Sequence, residues 1–140
     1  MRLLIALIFL LTPLLAEDTI PKANFYQAKV LRVHDGDTVY AEIKLISKLR
    51  VEVGCRFFGV SAPELKESTG IKAKEIVEKY IKAEDNIIVE YLGDDKYAGR
   101  IISKIWLFDK ETKKYFCLND ELVKNKEIFA KMDKNGKKIK

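Results

Sequence analysis

Histidine is almost missing from this chain: His34 stands alone among 140 residues. A metal or acid–base role would leave it without a histidine or cysteine partner, so an exposed strand end is the expected place for it. Cysteine is nearly as scarce, with only Cys55 and Cys117. In an exported protein these two could pair. Both sit beside apolar residues in predicted strands or strand ends, where a free cysteine is commonly a small core residue, and unpaired thiols are the expectation. No internal repeat is evident, which gives no support to a solenoid or propeller. The longest apolar run, Leu3 to Leu15, is about 13 residues, short of the roughly 20 that a membrane-spanning helix requires. An excess of one charge sign is also missing from the body of the chain. The net charge is +5, but residues 131–140 carry Lys131, Lys134, Lys137, Lys138 and Lys140 against Asp133 alone, and residues 17–130 are close to neutral. The basic pI therefore does not imply a basic globular face.

What is present suits one compact soluble domain, with 48% hydrophobic and 34% charged residues. Residues 1–16 differ from the rest. A charged start at Arg2, the apolar run, the small Ala16 and then Glu17-Asp18 follow the order of a secretory signal peptide. Cleavage after Ala16 predicts a secreted or periplasmic protein; an uncleaved segment would instead be a membrane anchor. Residues 17–24 read as a leader, 25–130 as the folded domain and 131–140 as a basic tail. The tail is expected either to attract nucleic acid or an anionic surface without specificity, or to be a frayed solvated end.

Periodicity organises the domain. Phe25 to Val33 is strand-like. Asp35-Gly36-Asp37-Thr38 is a turn, because glycine tolerates positive φ and aspartate bonds its own backbone. Thr38 to Ile46 alternates, with Val39, Ala41, Ile43 and Leu45 on the core side. Leu49 to Val60 alternates again, with Val51, Val53, Cys55 and Phe57 inward and Arg56 outward. The period then becomes helical over Gly70 to Glu84, where Ala73, Ile76, Val77, Tyr80 and Ile81 share a face and Ser68 or Thr69 can cap the start. Strands are expected over Ile87–Leu92 and Arg100–Phe108, with a brief return at Tyr115–Leu118. Asn119 can cap a second helix through about Phe129. Three strands, a helix, two strands and a C-terminal helix make an α+β, mostly β arrangement: a five-stranded OB-fold Greek-key barrel with a helix after strand 3.

Chemistry-bearing residues recur in a fixed order on this frame. They are Val33-x-Asp35-Gly36-Asp37-Thr38, Arg56-x-x-Gly59-Val60-x-Ala62-Pro63-Glu64, Gly70-x-x-Ala73, Asp95-x-Tyr97-x-Gly99-Arg100 and Leu118-Asn119-x-x-Leu122-Val123. Together they resemble the staphylococcal nuclease (thermonuclease) family, over about Ala28 to Val123. The resemblance implies a metal-dependent nuclease that hydrolyses DNA or RNA phosphodiester bonds with little sequence preference and leaves 3′-phosphates. It makes Glu64 the general base and Arg56 and Arg100 the phosphate-gripping arginines, whose guanidinium forks match phosphate oxygens. It makes Asp37 the metal-binding aspartate, with Ser61 and the carbonyl of Ala62 beside it and Ca²⁺ as the cation. Asp35 reads as a turn residue.

Three departures accompany the likeness. The family pattern has an aspartate where Ser61 stands, which implies weaker or altered metal binding. Ala98 is inserted before Gly99-Arg100. Only about ten mostly polar residues follow Phe129, so the family's substrate-facing tyrosines lack a clear counterpart. DNA or RNA is the expected partner, no stable protein partner is inferred, and a monomer is expected. The alternative from the same residues is a catalytically weak or inactive OB-fold that binds nucleic acid or a protein.

Overall fold

The structure, a computed structural model, describes residues 24–139. The expected signal peptide, all of the leader but Asn24, and Lys140 lie outside the described residues. In chain order the elements are β1 (Phe25–Val33), β2 (Thr38–Lys44), β3 (Arg50–Phe57), β4 (Val60–Ser61), α1 (Ser68–Tyr80), β5 (Asn86–Asp94), β6 (Arg100–Asp109), β7 (Lys114–Cys117), α2 (Leu118–Leu122) and β8 (Ala130–Lys131).

β1, β2 and β3 form an antiparallel meander. Its first turn is made by side chain and backbone together. Asp35 Oδ1 accepts the Asp37 N–H at 3.0 Å, and the His34 N–H donates to the Thr38 carbonyl at 3.0 Å. The register of β1 against β2 shifts between Val30 and Arg32. That bulge passes over Leu31, so Ala28 and Val30 face the core before it and Val33 faces the core after it.

β5 pairs antiparallel with β1, and β6 with β5. β3 and β6 then pair in parallel, Gly54 opposite Arg100 and Phe57 opposite Ser103. The circuit β1-β2-β3-β6-β5 returns to β1, giving the closed five-stranded barrel of an OB-fold, with α1 after the third strand and α2 near the C-terminus. Closure leaves no free edge among the five. Val30, Val39, Val89 and Ile105 are fully buried in its core, and α1 adds Ala73 and Val77. Each such Val or Ile contributes about 1.5–3 kcal/mol relative to an exposed position. No described helix is long and apolar enough to cross a membrane.

Several expectations are corrected. The N-cap of α1 is Glu67, without a side-chain capping bond, and Ser68 and Thr69 lie in the first turn. The helix begins at Ser68, two residues before the expected Gly70, and Gly70 sits directly on the Glu64 carbonyl, where a Cβ would overlap it. It stops at Tyr80 rather than Glu84, since Ile81 turns to extended backbone and buries its side chain. Tyr80 itself is largely exposed. Leu45 and Val51 keep the alternation but lie on the part of the β2–β3 hairpin that has no core beneath it, and both are exposed.

α2 is a single turn or so, not a helix to Phe129, and Asn119 does not cap it. The buried Asn119 side chain instead accepts the Ile105 N–H at 3.0 Å and donates to the carbonyls of Phe58 at 3.0 Å and Ser103 at 3.1 Å. It ties β6 to the turn between β3 and β4, and those three backbone groups outweigh a local cap. Residues 130–139 are not a frayed end either. β8 pairs with β4, the Met132 N–H donates to the Gly59 carbonyl at 2.9 Å, and the Ile139 N–H to the Lys131 carbonyl at 2.8 Å. Cys55 and Cys117 are buried and free. Burial pushes the Cys55 thiol up to about 12 and raises that of Cys117.

Candidate functional site

A polar cavity of about 310 Å³ opens where the first turn, the end of β3, the loop after β4 and the β5–β6 connection meet. Asp37, Arg56, Ser61, Ala62, Glu64 and Arg100 all line it. Residues spread over 64 positions of sequence reach one hollow. The β2–β3 register puts Thr38 opposite Arg56, and the parallel β3–β6 pairing brings Arg100 beside them.

Asp37 is the most constrained of these groups. It is 8% exposed. Its Oδ2 accepts the Ala62 N–H at 2.9 Å and its Oδ1 the Thr38 hydroxyl at 3.1 Å. The Arg56 guanidinium pairs with Oδ1 and also donates to the Asp37 carbonyl at 3.3 Å. Burial raises the Asp37 carboxyl above its usual 3.8. Arg56 and the Ala62 N–H pull the other way, while Asp35 adds to the rise. The net upward direction means that desolvation outweighs the neighbouring cation.

Arg100 opens β6 and pairs through Nη2 with Asp95 Oδ2 at 2.6 Å. Its guanidinium lies 4.9 Å from the centre of the Tyr97 ring. Arg100 Nε is buried without a hydrogen-bond acceptor among the described residues. The inserted Ala98 does not draw Arg100 away from the cavity. Ala98 is exposed in a turn where the Arg100 N–H donates to the Tyr97 carbonyl at 3.3 Å, with Gly99 at φ +76°. The Gly99 carbonyl accepts the Gly54 N–H at 2.9 Å, which restores register with β3. Gly54 also gives the Arg100 stem its room, for a Cβ there would lie 2.7 Å from Cγ of Arg100.

Glu64 belongs to the loop between β4 and α1. Its side chain is 71% exposed and pairs with Lys66 Nζ at 2.7 Å. Its backbone is fixed where its carboxylate is not: its carbonyl accepts the Glu67 N–H at 2.9 Å and rests on Gly70. Gly36 has a parallel duty, since a Cβ there would lie 2.6 Å from the Cβ atoms of both Ala62 and Ala73. The two glycines let the first turn, the Ala62–Glu64 loop and α1 close up on one another.

His34 is half exposed, with Nε2 3.9 Å from Asp35 Oδ2 and its ring edge on Tyr40. Among the described residues no group of three or more His, Cys, Asp and Glu forms a metal cage. Asp95, Lys96 and Tyr97 share the cavity but had no site role in the sequence reading. Their signal was the Asp95-x-Tyr97-x-Gly99-Arg100 stretch, whose spacing puts them on the turn that carries Arg100. No family model matches the chain, and no curated protein matches it. The cavity's own chemistry therefore carries the functional reading: the guanidinium groups of Arg56 and Arg100 and the ammonium of Lys96, set among the carboxylates of Asp35, Asp37, Glu64 and Asp95, around a space large enough for a phosphodiester.

Proposed function

We propose that the chain is a phosphodiesterase of the staphylococcal nuclease type, acting on DNA or RNA with little sequence preference. The observation that carries this reading is the meeting of Arg56, Arg100, Asp37 and Glu64 in one polar cavity. Arg56 and Arg100 are each held by a carboxylate that a phosphate can replace as partner. The Arg100 Nε is buried with no protein acceptor among the described residues, so it becomes a donor for a phosphate oxygen only when the Arg100–Asp95 pair opens. As negative charge builds on the phosphoryl oxygens, both forks strengthen their hold, which is the differential binding that lowers a barrier. Glu64 takes a proton from the attacking water, the new P–O bond forms in line, and the opposite P–O5′ bond breaks; the departing 5′-oxygen takes up a proton from solvent, leaving a 5′-hydroxyl and a 3′-phosphate. Its exposed carboxylate can turn from Lys66 towards that water.

A hard divalent cation fits the donor chemistry here, though narrowly. Asp37, the Ser61 hydroxyl and the Ala62 carbonyl are all oxygen donors, but only one carries charge, and Arg56 already occupies it. Bound Ca²⁺ would supply electrostatic relief of phosphate charge. Asp37 and Ser61 would hold it weakly. The N-terminal segment supports export as part of this reading, and N-terminal sequencing of extracellular material tests it.

The decisive assay follows cleavage of a fluorescent single-stranded DNA with Ca²⁺, Mg²⁺ or chelator, for wild type and Glu64→Gln. Cation-dependent cleavage is expected, falling by roughly 10²–10⁴-fold in the variant. Cleavage that ignores both the chelator and the substitution sinks the mechanism. The second reading is a binding module without turnover. It draws on the carboxylate partners of both arginines and on the Glu64–Lys66 pair. Oligonucleotide binding without cleavage under every cation would favour it.

A further inference from the structure

Ser61, Ala62 and Pro63 form a wall common to the cavity and to a second, larger hollow of about 810 Å³. That hollow exists because the C-terminal residues fold back: β8 pairs Ala130 with Ser61 and Lys131 with Val60. Its lining combines Val123, Ile128 and Ile139 with four lysines, Lys124, Lys126, Lys131 and Lys138. Glu127 is the one acid that lines it. Lys124 is paired with Glu121, whereas Lys126, Lys131 and Lys138 carry no ion pair among the described residues. The positive charge of the C-terminal segment is thus set against the wall of the candidate phosphate site.

We propose that this hollow is an extended binding track for single-stranded nucleic acid, taking the nucleotides that flank the phosphate held between Arg56 and Arg100. The inference rests on the nuclease-type reading of the smaller cavity and extends it to substrate length. Two observations select this occupant. The lysines match a phosphate chain in charge, and the Ser61–Pro63 lining that both hollows share places the track directly beside the cavity. The apolar part of the lining offers surface to unpaired bases, which a duplex would keep stacked inside.

The test measures binding of fluorescein-labelled oligothymidylate of about 12 nucleotides and of a labelled dinucleotide, over a salt series in chelator. It uses the full chain with Lys126, Lys131 and Lys138 all changed to Gln, beside wild type. Each lost phosphate contact removes about 0.7 from the log–log salt slope, so the triple variant should lose about 2 and bind the long strand at least ~10-fold more weakly. The dinucleotide should bind both proteins alike. A charge-matched control, Lys110, Lys113 and Lys114→Gln at the β6–β7 hairpin, should keep the wild-type slope.

Equal loss in that control overturns the track, because overall charge would then explain the effect. Equal competition by polyglutamate of matched charge overturns the nucleic-acid assignment. A wild type that cleaves DNA while the triple variant binds the long strand normally refutes the track alone. Lysine-dependent binding of the long strand by a wild type that cleaves nothing supports the track and refutes the nuclease reading. Thermal melts of each variant show whether a loss of binding is a loss of fold.

Discussion

Asp37 and Glu64 are both carboxylates on the wall of one cavity, yet they are opposites. Asp37 is buried at the mouth of the barrel and held by Arg56, the Thr38 hydroxyl and the Ala62 N–H. Glu64 reaches into solvent from a loop, with only Lys66 as side-chain partner among the described residues. The closed barrel accounts for the contrast. Asp37 sits where β2 begins, so strand register dictates its surroundings. Glu64 is placed by its backbone, through Glu67 and Gly70, while its carboxylate faces solvent beside Lys66. The two positions suit different work: a fixed charge organises the site, and a solvent-facing carboxylate can accept and release a proton.

The contrast breaks most visibly at the partners. Arg56→Ala strands the buried Asp37 carboxylate and should cost about 3 kcal/mol of stability, at the lower end for a broken buried pair because Arg56 keeps some exposure. Lys66→Ala removes the only side-chain partner of Glu64 among the described residues and should leave the denaturant midpoint where it was. Urea titrations of both variants decide the point; equal midpoints would erase the distinction. Arg56→Ala should also lower cleavage by roughly 10²-fold.

A smaller effect probes the backbone side of Glu64. Gly70→Ala pushes a Cβ into the Glu64 carbonyl, and relief of that overlap should cost about 1–3 kcal/mol. If the loop position matters for proton transfer, kcat should fall more than KM changes. A variant with lost stability and full kcat would show that only the fold depends on this contact.

Proton linkage sharpens the Asp37 half. A carboxyl whose folded value is raised binds its proton more tightly in the folded chain than in the unfolded one. As pH rises from below 3.8 through its raised folded value, wild type should therefore lose stability relative to Asp37→Asn. Above that value the difference should be flat. A difference that grows in the opposite direction would mean that Arg56, and not burial, governs the group. The smallest expected change concerns the cation. Ser61→Asp adds a second charge near Asp37 and should tighten Ca²⁺ binding by roughly tenfold, or about 1.4 kcal/mol. Isothermal titration reads this without reference to turnover, and an unchanged titration counts against a cation at Asp37.

Much of this molecule was legible from order and period. The predicted bounds of β1 match those observed, and the start of β2 does too, because alternation and the Asp-Gly turn are local properties. All six residues singled out for chemistry line the same cavity. The errors share a cause. Ser68, Thr69 and Asn119 have the right chemistry for caps, but where a helix starts depends on what lies against it. Glu67 takes the N-cap position of α1, and three distant backbone groups claimed Asn119. Val51 and Leu45 carry core-like side chains on a hairpin that outruns its core.

Sequence by itself determined the alternation of the barrel strands, the helical period after the third strand and the order of the Asp, Glu and Arg side chains along the chain. These follow from side-chain period and from functional groups, which each residue carries wherever it is placed. Only the tertiary structure decided that Asp37 would be buried against Arg56 while Glu64 stayed in solvent, and that the lysines of the C-terminal segment would stand beside Ser61 and Pro63. Those outcomes depend on pairings between residues far apart in the chain, β3 with β6 and β4 with β8. Burial and charge neighbours belong to such pairings, not to any single stretch of sequence.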